Sequence, residues 1–431
     1  MNDSDGRQKG GARSRAAATR ERIVAGAIDV LARCGVSGLT HRDVARAAGV
    51  SLAATTYHFD SKAHILEAAS SALLDGYLHA FRQLAARIAR GEEERTSDLT
   101  DLVQRVVLNA LGRERTRSLA WSELILHDGR KAAGRELARV WYARLDGIWQ
   151  DIARRLEPDM PIEHASVAVD LAIGLTFTLQ PLGLELGVAR DLLDGRRDMG
   201  ALLEEIAGAE PTPQTDTPNA SPEPPARYQQ TRRRILDAAI EIIVKEGAAA
   251  LTHRRVAELT GMVRSGPSYY FATIDELLAT AQQEFFARAK ARYRSGFEAA
   301  GAADMDESQL LDLTTAIFFR EALEHASENI GFHSVWISAA QNPSLRGAAV
   351  SSLLNLHRAW TRRLSAARGQ APEPALPLRM HAIFTGKLIR AVTAAIDVSD
   401  LARARSDFAG ILRGAFGAKA TSCTIVQSRR R

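Results

Sequence analysis

Between residues 19 and 34 the apolar positions Ile23, Ala27, Val30 and Leu31 fall at helical spacing, and Ile235, Ala239, Ile242 and Ile243 repeat the pattern between 231 and 246. Residues three and four apart share one face of an α-helix, so each segment predicts an amphipathic helix. Gly35 and Gly247 follow, where a helix would end in a left-handed turn. Leu-Thr-His-Arg comes next in both places. Thr40 and Thr252 are good N-caps, and Asp43 stands three residues after Thr40. A short helix over Thr40–Ala48 should end in a tight turn at Gly49, with Gly261 as its counterpart. A third short helix is predicted near 52–58, ending in Tyr57-His58-Phe59. Two short helices joined by a glycine turn predict a helix-turn-helix, or an ordinary helical hairpin with Tyr57 and Phe59 in its core.

The two segments superpose under a constant shift of 212 residues. Residues 19–66 and 231–278 align without a gap and are identical at 17 of 48 positions. One register held through helices and turns points to two copies of one unit. Residues 209–230 separate them, and this stretch holds Pro211, Pro213, Pro218, Pro222, Pro224 and Pro225. Proline lacks an amide donor and disfavours helix before it, so an extended linker reaching ~60 Å is expected. The stretches 67–208 and 279–417 read as helical. Residues 1–18 read as a basic flexible arm, carrying Arg7, Lys9, Arg13 and Arg15, and residues 418–431 as a basic tail. The predicted fold class is all-α.

The net charge of +5 favours an acidic partner such as nucleic acid without proving one. Cys34 and Cys423 are the two cysteines, too few for a disulfide framework, and a reducing cytoplasm is the expected location. Cys34 falls in an apolar helical pattern and is expected to be buried. No apolar stretch follows the basic residues at the start, so no signal peptide is expected. The longest uncharged apolar run, Leu171 to Leu184, is shorter than the ~18 residues a membrane span needs, so no membrane partner is expected. No His-Glu-x-x-His, Gly-x-Ser-x-Gly or phosphate-loop string occurs, and the 11 histidines lack ligand spacing. Neither an enzyme nor a cofactor is expected.

The string GLTHRDVARAAGVSLAATTYHFDSKAHIL closely resembles the N-terminal DNA-binding domain of tetracycline-repressor (TetR) family regulators. The resemblance covers about 48 residues in each copy and implies double-stranded DNA as partner. In a helix-turn-helix the second helix enters the major groove. The third helix would present Ser51, Leu52, Ala53, Ala54, Thr55, Thr56, Tyr57 and His58. Small residues let the backbone approach base edges, Leu52 or Ala53 can meet a thymine methyl, and Thr55 or Thr56 can hydrogen-bond. Thr40, His41 and Arg42 lie where a helix start meets phosphate. Lys62 matches the family's phosphate-contacting lysine. Tyr57 is either a DNA contact or core.

The second copy departs from this pattern. Ile274 stands at the position of Lys62, Val263 replaces the cap Ser51, and Pro267 falls inside the recognition segment. That helix should therefore begin about two residues later, since proline is tolerated only in a first turn. Thr252, His253, Arg254, Arg264, Ser265, Gly266, Ser268, Tyr269 and Tyr270 remain candidates for DNA.

The resemblance further implies a small, largely apolar effector in each regulatory half. Trp121, His127, Trp149 and Phe177 are the candidates in the first, and Phe332, Trp336 and Phe384 in the second. The apolar stretch 167–189 and its counterpart 378–396 suit a helix–helix interface of the kind that joins two subunits in that family. One chain would then act as a pseudo-dimer on an imperfect palindromic operator, as a ligand-responsive repressor. Alternatively the second copy does not bind DNA and serves for dimerisation, making a homodimer, or for sensing.

Overall fold

The computed structural model describes residues 3–209, 225–299, 305–394, 398–414 and 416. Among them there are nineteen α-helices and no strand. The first half opens with α1 (Asp3–Cys34), α2 (His41–Ala48), α3 (Leu52–His58) and the long α4 (Lys62–Ala89). It continues through α5 (Leu99–Leu111), α6 (Arg115–Asp128), α7 (Ala132–Leu156), α8 (Glu163–Leu179), α9 (Leu186–Leu193) and α10 (Met199–Ala209). The second half opens with α11 (Ala226–Glu246), α12 (His253–Thr260), α13 (Gly266–Tyr270) and α14 (Ile274–Ala299). It closes with α15 (Glu307–Leu323), α16 (Ala326–Gln341), α17 (Arg346–Arg368), α18 (Leu376–Thr393) and α19 (Val398–Leu412).

The shift of 212 carries on well past residue 66. It maps α4 onto α14, α6 onto α16, α7 onto α17 and α8 onto α18 with ends that differ by only a few residues. In each half a single long helix, α4 or α14, runs without a break from the helix-turn-helix region into the bundle behind it. The expected boundaries at 66/67 and 278/279 therefore fall inside continuous helices. Helix α1 reaches back to Asp3, so residues 3–18 are helix where a flexible arm was expected. Residues 226–230, expected as linker, form the first turn of α11. Most of the proline-rich stretch and all of the 418–431 tail lie outside the described residues, as does Cys423. Cys34, expected inside, is exposed at the end of α1.

The halves pack on each other through α8 and α18. At their crossing stand Gly174 and Gly386, which occupy the same place in the 212-residue register. A Cβ on Gly174 would overlap the Ala382 carbonyl, and one on Gly386 would overlap the Asp170 carbonyl. Asp170 and Ala382 also share a register position, so the contact is reciprocal, as across a two-fold axis. Glycine is required because the two backbones touch.

The polar groups at this crossing break the symmetry. Lys387 of α18 lies 3.0 Å from Asp170 and 2.5 Å from Asp407 of α19. Arg390 lies 3.1 Å from Asp170 and 2.7 Å from Asp146 of α7. Burial works against the charge of Lys387, but Asp170 and Asp407 outweigh it and hold its pKa above the usual lysine value. The acids come mainly from the first half and the cations from the second, an arrangement that fits unlike halves only.

The 20 residues Glu163–Leu182 have the length and hydropathy of a membrane span, more than the 14-residue run suggested, but 94% of that window is buried inside the protein. Their apolar character is accounted for by this interface.

Candidate nucleic-acid interface and effector cavity

The first head is built on caps. Thr40 begins α2 by accepting from the Asp43 amide at 3.2 Å, and its hydroxyl donates to Asp43 Oδ2 at 2.5 Å. That bond, ahead of the neighbouring arginines, holds the Asp43 carboxyl below its usual range. Gly49 ends α2 at φ 62°, the left-handed conformation a Cβ disfavours. Arg22 of α1 donates to the carbonyls of Ala48 and Gly49, at 2.9 and 2.7 Å. Ser51 then caps α3, accepting from the Ala54 amide at 3.1 Å.

These caps turn one face of α3 outward. Tyr57 is 82% exposed, which removes the core reading of this residue, and Leu52, Ala53 and Thr56 are exposed as well. Ser51 is exposed, and Ala54 and His58 are half-buried. Thr55 is an exception to the predicted set. It is fully buried and donates to the Leu52 carbonyl at 2.8 Å, so it serves packing and cannot reach a base. Phe59, just past the end of α3, is buried as well. Arg42 is exposed and in no ion pair among the described residues, and Thr40 is exposed beside it. His41 is half-buried, and its Nδ1 is buried without a partner. Lys62 reaches the Ser37 carbonyl at 3.5 Å, and partial burial lowers its pKa. It sits against its own head instead of standing free.

The second head repeats several of these devices. Thr252 caps α12 by accepting from the Arg255 amide at 3.1 Å, Gly261 ends it at φ 68°, and Arg234 donates to the Thr260 carbonyl. Arg20 lies over the Phe59 ring at 4.9 Å, and Arg232 over Phe271 at 4.3 Å. The recognition segment differs. Helix α13 begins at Gly266, two positions later in register than α3, with Pro267 in its first turn. Its cap residue Ser265 makes no side-chain cap bond. Tyr269 is 77% exposed and Tyr270 half-buried, and both pack against Tyr228 of α11, with ring centroids 6.4 and 4.9 Å away. Arg264, Ser265 and Ser268 are exposed, and Gly266 is half-buried. Arg254, expected to face phosphate, is held by Glu258 at 2.8 Å. Thr252 is exposed and His253 half-buried.

Behind the heads the two bundles differ in their interiors. In the first, Trp121 stacks on Trp141 at 5.6 Å and meets Phe177 edge-on at 5.9 Å, and Trp149 packs on Phe81 at 5.5 Å. A gap of about 10 Å³ beside Trp121 and Trp141, and one of about 20 Å³ where α5 and α8 meet α18, are too small for an organic ligand. Burial, with Lys131, Arg130 and Lys62 nearby, pushes His127 down to about 4. The expected effector residues of the first half are therefore packed core or its margin. In the second half a cavity of about 580 Å³ opens between α14, α16, α17 and α18. Phe332 and Phe384 line it as expected. Trp336 does not, because its indole N–H crosses the interface to the Phe177 carbonyl at 2.8 Å. Trp360, His333 and His381 line the cavity and were not anticipated. In register, the cavity-lining His333 stands where the first half has Trp121, and the cavity-lining Trp360 where it has Ile148, so one indole is lost at the cavity and another gained.

Helix α16 touches each of these parts. Asn329, Phe332 and His333 face the cavity. Ser334 accepts from the Ala248 amide of the second head at 2.9 Å. At the other end Gln341 donates to Glu123 at 3.3 Å. Burial pushes Glu123 up to about 7, against Arg130, Gln341 and a hydrogen bond from Val36 of the first head. Arg130 in turn donates to the Val244 and Ile243 carbonyls at the end of α11. Cationic donors at a helix C-terminus satisfy its unpaired carbonyls.

Among the described residues no group of three or more His, Cys, Asp or Glu is placed to hold a metal ion. No curated protein matches the chain. Among solved structures, the crystal structure of multidrug binding protein EbrR complexed with imidazole is 21% identical, with 42% of this chain and 93% of that chain covered and a TM-score of 0.34. The segment that builds α2 and α3, residues 23–69, matches the family described as bacterial regulatory proteins, tetR family.

Proposed function

We propose that this chain is a ligand-responsive DNA-binding transcriptional regulator, acting as a repressor, whose two halves stand in for the two subunits of a dimer. The observation that carries the reading is the outward face of α3, with Leu52, Ala53, Thr56 and Tyr57 exposed inside the segment that matches the family. A rigid short helix with small exposed residues, next to the free Arg42, suits a major groove. The reciprocal glycine contacts between α8 and α18 support a pseudo-dimer. Because α3 and α13 present different residues, the operator is an imperfect palindrome.

The effector occupies the cavity of the second half, one per chain. A ligand that favours one arrangement of α16 biases both heads, because that helix touches Ala248 on one side and Glu123 on the other. The coupling is limited by the ligand's differential affinity for the two arrangements.

Selection of bound sequences from random duplexes, followed by footprinting, tests the reading. Protection of two successive major grooves by one chain, with sedimentation near 46.8 kDa without DNA, agrees with it. No preference for any duplex over bulk competitor defeats it. A second reading has the second copy as a partner module without DNA contact, favoured by the ion pair of Arg254 with Glu258 and the packing of Tyr269 and Tyr270 on Tyr228. Protection of one half-site per chain distinguishes it.

A further inference from the structure

We infer that the cavity of the second half takes an amphiphilic organic anion, its apolar body among the aromatic rings and its negative group against a basic rim formed by α14 and α17. The inference rests on reading that cavity as the effector site.

The walls are apolar: Phe285, Phe332, Trp360 and Phe384. Deeper in, His333 and His381 carry no charge near neutral pH. Burial pushes them down to about 4 and about 3, and for His381 the nearby His333 and His357 add to the effect. These histidines offer neutral hydrogen-bonding groups beside the rings, and the mostly buried Arg292 is already paired with Glu321 and Glu328. With about 580 Å³ the cavity has the size of a drug-like ligand site.

Cations outnumber carboxylates along the lining. Lys290 and Arg294 stand one turn apart on α14, and Arg362 and Arg363 are adjacent on α17. Lys290, Arg294 and Arg362 are exposed and in no ion pair among the described residues. Arg358 is held by Glu204 at 2.7 Å, and Arg292 by Glu321 at 2.8 Å. Of the lining carboxylates, Glu328 is held by Arg292 at 2.9 Å and Glu298 stands exposed on α14. Glu298 is the lining acid in no ion pair among the described residues, and Lys290, Arg294 and Arg362 outnumber it. An anion meets several cations at once, and guanidinium groups bind carboxylate, sulfonate or phosphate oxygens in pairs. Burial first, and then the charge of Arg362 beside it, pull the pKa of Arg363 down to about 10.

Two fluorescent probes with one ring skeleton test this: 8-anilinonaphthalene-1-sulfonate, an anion, and N-phenyl-1-naphthylamine, its neutral counterpart. Both are titrated into the full chain. The Arg362→Gln/Arg363→Gln variant should weaken the sulfonate about tenfold, ~1.4 kcal/mol, and leave the amine within about twofold. The Lys290→Gln/Arg294→Gln variant gives the same selective loss and stands in should the first variant fail to fold. Ala359→Trp, which fills the cavity, should abolish one-site binding of both probes. If both charge variants lose the two probes equally, or lose neither, while Ala359→Trp still blocks the amine, the anion is wrong and the cavity stands. If the wild type binds neither probe saturably, or Ala359→Trp leaves both unchanged, the cavity reading and the anion fall together.

Discussion

In the first half Trp121 and Trp141 stack and Trp149 fills the space against Phe81, whereas in the second half Phe332, Trp360 and Phe384 stand around open volume. Both bundles use helices in the same order and register. Among the side chains that differ in register are Trp121 against His333 and Ile148 against Trp360, with His333 and Trp360 both on the cavity wall. A filled bundle is a stiff partner surface, because close-packed interiors yield little. A hollow one gives up packing contacts for a site. Under the proposed reading one half senses for both, since the reciprocal α8–α18 contact ties the other to it.

The largest way to break the pair is at the crossing. Gly174→Val should abolish the packing of the halves or lower unfolding stability by at least about 4 kcal/mol, because the new atoms overlap the Ala382 carbonyl. Gly187→Ala, with open space around it, is the control, and urea midpoints compare the two. Next, Trp149→Ala should cost about 3–5 kcal/mol by leaving a hole in a filled core. Trp360→Ala, already half-buried beside the cavity, should cost less than half as much. Equal losses would erase the contrast between the interiors. Lys387→Met leaves Asp170 and Asp407 without their shared cation and should destabilise by about 3 kcal/mol, read by the same denaturation.

A smaller effect is expected from pH. Glu123 has a folded-state pKa of about 7, raised from 4.5 mainly by burial. Its contribution is therefore fully present below about 4.5 and is lost as pH rises through 7, on the order of 3 kcal/mol across that window. Glu123→Gln should flatten this part of the stability–pH profile, and a profile that keeps its slope would remove Glu123 as the cause. The smallest effect compares the heads. Arg42→Gln should weaken duplex binding a few-fold and reduce the salt slope by about one ion, whereas Arg254→Gln should do less, since Glu258 already holds Arg254. Salt-dependent anisotropy on one duplex measures both.

Much of the head was readable in advance because caps and glycine turns are local chemistry. Thr40, Ser51, Gly49 and Gly261 act within three or four residues of themselves, and the late start of α13 follows from the absent amide of Pro267. Burial of Thr55 is not legible locally, since Leu52 three positions earlier on the same helix is exposed. Tyr57 could not be assigned from its neighbours, since aromatic character fits core and groove alike. The packing of Trp121, Trp149 and Phe177 in the first half was hidden for a different reason. Tryptophans count the same in composition whether they fill a space or border one.

From the residues alone came the all-α class, the repeat and the helix-turn-helix pattern, since periodicity, capping and backbone restrictions act over a few neighbouring positions. Tertiary structure decided that α8 and α18 touch through paired glycines, that acids from one half meet cations from the other, and that only the second bundle is hollow among the described residues. Those outcomes depend on side chains brought together from positions up to about two hundred residues apart, where volume and charge must match in space.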